Sequence, residues 1–181
     1  MEMGRRTNRG VPKKVRKGNA SSAIGYEGTV TLTVKRGDKV VGKTTRKNEG
    51  REPLFKFLCG CLVGDYQPSG VPRFIMAYSD ANATTSVMQN PLPIANTPEY
   101  GYESSGTSCY VEMVFVIPFG AFTVSGDSVT VKSLALFDAN NKPQHTTPSA
   151  IIVLNDDGVT ISTNENLIVG WKLTVGNQSD L

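Results

Sequence analysis

Three kinds of side chain in this 181-residue sequence could carry chemistry: thiols, a single imidazole and an adjacent pair of carboxylates. Cys59 and Cys61 are separated by one residue, whereas zinc sites favour two to four intervening residues and need a second pair of ligands. The remaining soft ligands are Cys109 and His145. Because free cysteines commonly pack as small apolar side chains, the spacing favours core packing over a metal or redox site.

The imidazole and the carboxylates do not form a recognisable catalytic pattern. His145 lies in a polar turn, and no G-x-S-x-G nucleophile signature accompanies it. Asp156 and Asp157 sit side by side in a D-D-G turn, where they cannot flank a glycosidic bond as paired catalytic acids must. The sequence also lacks a P-loop and a G-x-G-x-x-G phosphate loop. We therefore expect no enzymatic activity, no cofactor, no metal and no small-molecule substrate.

The strongest chemical signal is a cluster of cations at the N-terminus. Seven of the first twenty residues are basic: Arg5, Arg6, Arg9, Lys13, Lys14, Arg16 and Lys17. Lys and Arg neutralise phosphates without fixed geometry, but this segment holds no aromatic residue on which a base could stack. Two partners therefore stay open: a nucleic-acid backbone bound without regard to sequence, or an acidic protein surface.

Charge is divided unevenly along the chain. Residues 1–51 hold 14 basic and 4 acidic side chains, whereas residues 52–181 hold 5 basic and 12 acidic ones. The basic front of one copy could thus lie on the acidic remainder of another. No apolar run approaches the ~18 residues that a membrane span needs, and the N-terminus lacks the apolar core of a secretory signal, so we expect no membrane partner. Three thiols suit synthesis in a reducing cytoplasm.

Glycine, proline and alternation of apolar residues divide the chain into elements. Residues 1–23 read as an extended basic arm, because glycines and Pro12 interrupt any helix. A single β-rich domain over 24–181 begins with a hairpin at 26–46, whose turn is the Arg-Gly-Asp triplet. Apolar residues at helical spacing after Pro53 predict one short helix over about 52–63.

The second half of the chain is dominated by strands. A long Ser-, Thr-, Asn-, Pro- and Tyr-rich loop is predicted over 79–107, and in it Tyr100 and Tyr102 form a candidate surface-recognition site. Strong strands follow over 108–175, separated by turn residues. The predicted fold is mainly β: an antiparallel β-sandwich or flattened barrel with one short helix and an extended basic N-terminal arm.

Three stretches resemble small virion structural proteins of tailed bacteriophages. N-E-G-R-E-P-L-F-K-F-L-C-G-C-L-V-G at 48–64 resembles the Asn/Gly-plus-helix segment that follows their opening hairpin. P-R-F-I-M-A-Y-S at 72–79 resembles the next strand, and L-I-V-G-W-K-L-T-V-G-N at 167–177 resembles their closing strand. The resemblance implies a head, connector, collar or tail component.

These observations lead to one principal functional expectation. The chain is expected to be a structural subunit of a phage virion, made in the host cytoplasm, that assembles by its β-domain and ties to neighbours through the basic arm. Its partners would be other copies of itself, other virion proteins and packaged DNA. Two alternatives remain: a sequence-independent nucleic-acid-binding protein of a nucleoprotein particle, and a receptor- or glycan-binding virion module that uses Tyr100 and Tyr102.

Overall fold

The computed structural model describes residues 24–50, 72–102, 108–138, 148–154 and 157–177, and there the chain is almost entirely β-structure. The strands are β1 (Ile24–Arg36), β2 (Lys39–Gly50), β3 (Pro72–Tyr78), β4 (Leu92–Pro93), β5 (Glu99–Tyr102), β6 (Ser108–Pro118), β7 (Ser128–Val131), β8 (Ser133–Asp138), β9 (Ala150–Val153), β10 (Val159–Ser162) and β11 (Glu165–Asn177). The predicted mainly β, antiparallel fold is confirmed. The predicted arm at 1–23 and helix at 52–63 lie outside the described residues.

The strands form a nine-stranded antiparallel sheet in the order β4-β3-β8-β9-β2-β1-β11-β6-β5, folded into two layers. One layer holds β2, β1, β11, β6 and β5, and the other holds β4, β3, β8 and β9. Strand β2 joins both, because its last residues, Glu49 and Gly50, pair with β9. Beyond β4, the Ala95 N–H donates to the Val114 carbonyl oxygen (2.8 Å), so the two layers also meet at β6. The result is a flattened barrel.

Alternation of apolar and polar residues places the core between the layers. Strands β1, β6 and β11 each turn every second residue inward, and these residues are buried. They are Val30, Leu32, Val34, Met113, Phe115, Ile117, Leu167, Val169, Trp171 and Leu173. Trp171 is wholly buried and pairs in register with Val30, as Val169 does with Leu32. The inward residues of β11 therefore lie at the centre of the core.

The segment S-V-T-V-K-S-L-A-L-F-D, which reads as one strand, is broken at Lys132. Its N–H donates to the Tyr78 carbonyl oxygen and its own carbonyl accepts from the Leu154 N–H, each at 2.8 Å. Strand β7 consequently leaves the main sheet and pairs with β10 in a separate ribbon. Strand β8 stays in the second layer, where residues 133–137 are all buried, so both of its faces are covered.

The predicted loop over 79–107 is partly wrong, because it contains β4 and β5. Its first part is a tight turn built on Asp80, whose carboxylate accepts the backbone N–H groups of Asn82, Thr84 and Thr85. Because the Asp80 carboxylate takes the place of backbone acceptors, this segment is ordered although its sequence shows no alternation of apolar residues.

A glycine and two polar side chains mark the corner where β2 passes from one layer to the other. The Asn48 side-chain amide donates to the Tyr26 hydroxyl (2.9 Å), and Gly28 lies opposite Asn48 in the register. A Cβ on Gly28 would overlap the Asn48 amide and approach the Tyr26 hydroxyl oxygen to 2.5 Å. Burial raises the pKa of Tyr26 to about 12, against the lowering effect of the Asn48 hydrogen bond. The corner therefore requires the absence of a side chain at position 28.

Gly28→Ala is expected to lower the free energy of unfolding by about 1–3 kcal/mol, the usual cost of an overpacked site. Gly120→Ala is the matched control, since a Cβ there has no neighbour within 4 Å among the described residues, and it should change stability by less than about 1 kcal/mol. Urea unfolding followed by Trp171 fluorescence measures both. Equal effects of the two substitutions would show that Gly28 is not constrained by Asn48.

Candidate assembly surface

The layer β2-β1-β11-β6-β5 presents one broad surface away from the core, here called the outer face. Its positions are the residues that alternate with the buried ones, and the register sets them in rows across the strands. One row runs Lys47, Thr29, Lys172, Glu112 and Glu99, from β2 to β5. Charge along this row changes from positive at the β2 end to negative at the β5 end.

The β1–β2 end of the outer face, the lysine side, carries Lys35, Lys43 and Lys47. Lys43 and Lys47 are exposed and lie four residues apart on one strand, so they share a face. The Lys47 ammonium lies 2.6 Å from a Glu27 carboxylate oxygen, an exposed ion pair of small energetic value. Threonines occupy the positions between the lysines. The lysine side therefore keeps a net positive charge.

The β5–β6 end, the glutamate side, carries two carboxylates directly opposite each other, Glu99 and Glu112. Like charges at such cross-strand positions repel, which destabilises the pair. Lys172 is the cross-strand neighbour of Glu112 and its ammonium lies 4.0 Å from the Tyr110 ring centroid, a cation–π distance. The Tyr110 ring in turn lies against Gly101, where a Cβ would come within 2.6 Å of the ring.

Between the two charged ends lies an apolar centre of Val114, Val116 and Ile168. In the register, Val116 is the neighbour of Ile168, and Val114 is the neighbour of Gly170. Val116 is 40% exposed and lies two residues before the end of β6. The outer face is thus apolar in the middle and oppositely charged at its two ends.

The hairpin turn is closed by a structural ion pair. The Arg36 guanidinium donates to Glu165 (2.7 Å), and the other Glu165 oxygen accepts the Ser162 N–H (2.8 Å). The Ser162 N–H and the Arg36 side chain together lower the pKa of the buried Glu165 carboxyl. Gly37 follows with a positive φ of 58°, as the turn requires. Arg36 of the Arg-Gly-Asp triplet is therefore engaged within the domain.

A cleft of about 450 Å³ opens between β2 and β10, beneath the hairpin. Leu32, Val34 and Val41 form its apolar wall, and its ionisable lining groups are Lys43 and Glu165. Glu165 is already held by Arg36. Within the described ranges, no group of three His, Cys, Asp or Glu residues could hold a metal ion.

The structure separates the residues that the sequence singled out. The seven cations of the arm, together with Cys59, Cys61, His145 and Asp156, lie outside the described residues, whereas Cys109 is exposed and free. Tyr100 and Tyr102 belong to the short strand β5, where they pair in register with Val111 and Cys109. They therefore belong to a paired strand and do not lie in an irregular loop.

Sequence reasoning missed the residues of the outer face. The four-residue spacing of Lys43 and Lys47 could have revealed a basic strand face. No local signal places Glu99 opposite Glu112, because that pairing depends on how β5 and β6 meet.

Comparison with known proteins identifies no relative. A scan against models of protein families matched none, and searches of curated proteins and of solved structures also found no match. Across the part of the chain that the structure describes, no helix is long and apolar enough to cross a membrane.

The Glu165 ion pair predicts a specific pH dependence of stability. Because the folded-state pKa is lowered, its stabilisation is present above the unfolded-state pKa of about 4.3 and is lost as the pH falls through the folded-state value. Glu165→Gln should therefore destabilise the protein at pH 7, and the difference from wild type should shrink below about pH 4. Urea unfolding at pH 7 and pH 3 measures this, with Asp127→Asn as the control for loss of an exposed carboxylate. A difference that does not change with pH would contradict the assignment.

Proposed function

We propose that this chain is a non-enzymatic structural subunit of a bacteriophage particle, which assembles through its β-domain and is tied to its neighbours by the basic N-terminal segment. The observation that carries the proposal is the division of charge on the outer face. Lysines gather at the β1–β2 end, carboxylates gather at the β5–β6 end, and three aliphatic side chains, of which Val116 is exposed, lie between them. A surface with an apolar middle and a charged rim is the common anatomy of a protein–protein interface.

The position of the N-terminal segment supports the same function. Strand β1 begins at Ile24, which pairs with Asn177 at the end of the sheet opposite the hairpin turn. The 23 preceding residues can span at most ~80 Å, about twice the ~40 Å length of β1. The cations of residues 1–20 can therefore reach acidic side chains of an adjacent copy. The resemblance of residues 48–64, 72–79 and 167–177 to phage virion proteins points the same way.

Deletion of residues 1–20 is expected to reduce assembly, because it removes seven cations that can pair with acidic surface of other copies. Sedimentation of the full chain and the deletion variant, alone and with other virion proteins, at about 50 and 500 mM salt measures the effect. Assembly of the full chain should weaken at the higher salt concentration. A full chain that remains monomeric at low salt and high concentration, with and without virion proteins, would argue strongly against a structural role.

A sequence-independent nucleic-acid-binding protein is the second candidate function, and the exposed lysines of the hairpin favour it. Lys43 and Lys47 lie about 13 Å apart on the outer face of β2, and could contact phosphates without reading bases. This function predicts salt-dependent binding to DNA or RNA that is lost on deletion of residues 1–20. If the deletion abolishes assembly and leaves nucleic-acid affinity unchanged, the structural function is favoured.

A further inference from the structure

We propose that the outer face binds the outer face of a second copy of this chain, in an isologous dimer whose twofold axis runs parallel to the strands. The inference rests on the proposed function and makes it specific. It names the surface through which the β-domain associates, the occupant of that surface and the relative orientation of the two copies.

The charge pattern selects the direction of the axis. Charge varies across the strands, from Lys47 on β2 to Glu99 on β5, in a single row of the register. An axis parallel to the strands reverses the order of the strands in the second copy, so each lysine side faces a glutamate side. An axis perpendicular to the strands would keep that order and would set lysines against lysines. Only the first arrangement is electrostatically complementary.

The apolar centre is complementary to itself under the same axis. When the axis lies between β11 and β6, Ile168 of each copy faces Val116 of the other, and Val114 faces Gly170, because these are the cross-strand pairs of one sheet. Gly170 has no side chain, so the surface is slightly concave at this position. A Cβ built on Gly170 would lie 3.4 Å from a Glu112 carboxylate oxygen. Lys172 of each copy then faces Glu112 of the other, and Glu99 faces Thr29, one strand spacing (~4.8 Å) from Lys47 and within reach of its side chain. The carboxylate repulsion at Glu99 and Glu112 is relieved by cations from the second copy.

The size of the face indicates a weak contact. Four strand spacings of ~4.8 Å and about eight residues along each strand give roughly 500 Å² per copy, below the ~800 Å² per partner of a standard interface. The dimer should therefore form at high protein concentration and low salt, and other contacts, including the N-terminal segment, would be needed to stabilise it in an assembly.

A carboxylate in the apolar centre tests the location of the contact. Val116→Asp should abolish the dimer that the wild-type full chain forms between about 10 µM and 1 mM, as followed by sedimentation equilibrium. Val153→Asp is the matched control, because Val153 is also an exposed strand valine (48%, against 40% for Val116) but lies on β9 in the other layer. Circular dichroism and thermal unfolding verify that both variants are folded. Equal loss or equal retention of dimer in the two variants would overturn the proposal.

A charge exchange tests the orientation. Lys47→Glu and Glu99→Lys should each raise the dimer dissociation constant about tenfold, since each alters two symmetry-related contacts of an exposed kind. The chain that carries both substitutions should return to within about threefold of wild type. A doubly substituted chain that dimerises no better than either single variant would exclude an axis parallel to the strands.

The outcomes separate this inference from the proposed function. A chain that self-associates, alone or with other virion proteins, but is insensitive to Val116→Asp would overturn the face-to-face contact and leave the structural function standing. If Lys47→Glu lowers the affinity for duplex DNA instead, with no change in self-association, the lysine side is a phosphate-binding surface and the proposed contact is wrong.

Discussion

The whole arrangement depends on one strand that belongs to two layers. Strand β2 pairs with β1 along most of its length and then, immediately after Asn48, pairs with β9 through Glu49 and Gly50. The crossing is accommodated at Gly28, because only a residue without a side chain lets the Asn48 amide approach β1 and donate to Tyr26. Without that corner, the described parts of the two layers would be joined by side-chain packing and by the hydrogen bonds between the segment after β4 and strand β6.

The same corner explains why the charged side chains of β1, β6 and β11 lie on the outer face or at the strand ends. Once β2 is committed to both layers, the inward positions of β1, β6 and β11 are enclosed and must be apolar, and Trp171 occupies their centre. Ionisable side chains on these strands can then lie only on the outer face or at the ends. The polarity of the outer face follows from which strand each charged residue belongs to, and the cross-strand register brings the charges into rows.

Alternation of apolar and polar residues predicted the parts of the fold that have one covered face. Strands β1 and β11 show it plainly, because threonine, lysine and glycine take the outward positions. The same alternation gave no correct prediction where local hydrogen bonds decide the structure. Two backbone hydrogen bonds of Lys132 break an apparently continuous strand. The Asp80 carboxylate orders a segment that has no apolar residues at regular spacing. Strands β4, β5 and β10 are two to four residues long, too short for a period to be recognised. The outer face could likewise not be predicted from the sequence, since its glutamate side is formed by two strands.

A weak, self-complementary face is physically reasonable for a subunit that would be surrounded by copies of itself. An exposed valine and a few surface ion pairs stabilise an isolated pair of domains only slightly, and salt screens the charges further. If the basic N-terminal segment holds two copies near each other, the second contact becomes effectively intramolecular and its local concentration reaches the millimolar range. A contact of that strength would then form in an assembly and be largely absent in dilute solution. Division of the binding energy between the N-terminal segment and the outer face would thus allow order in a particle without premature association of free chains.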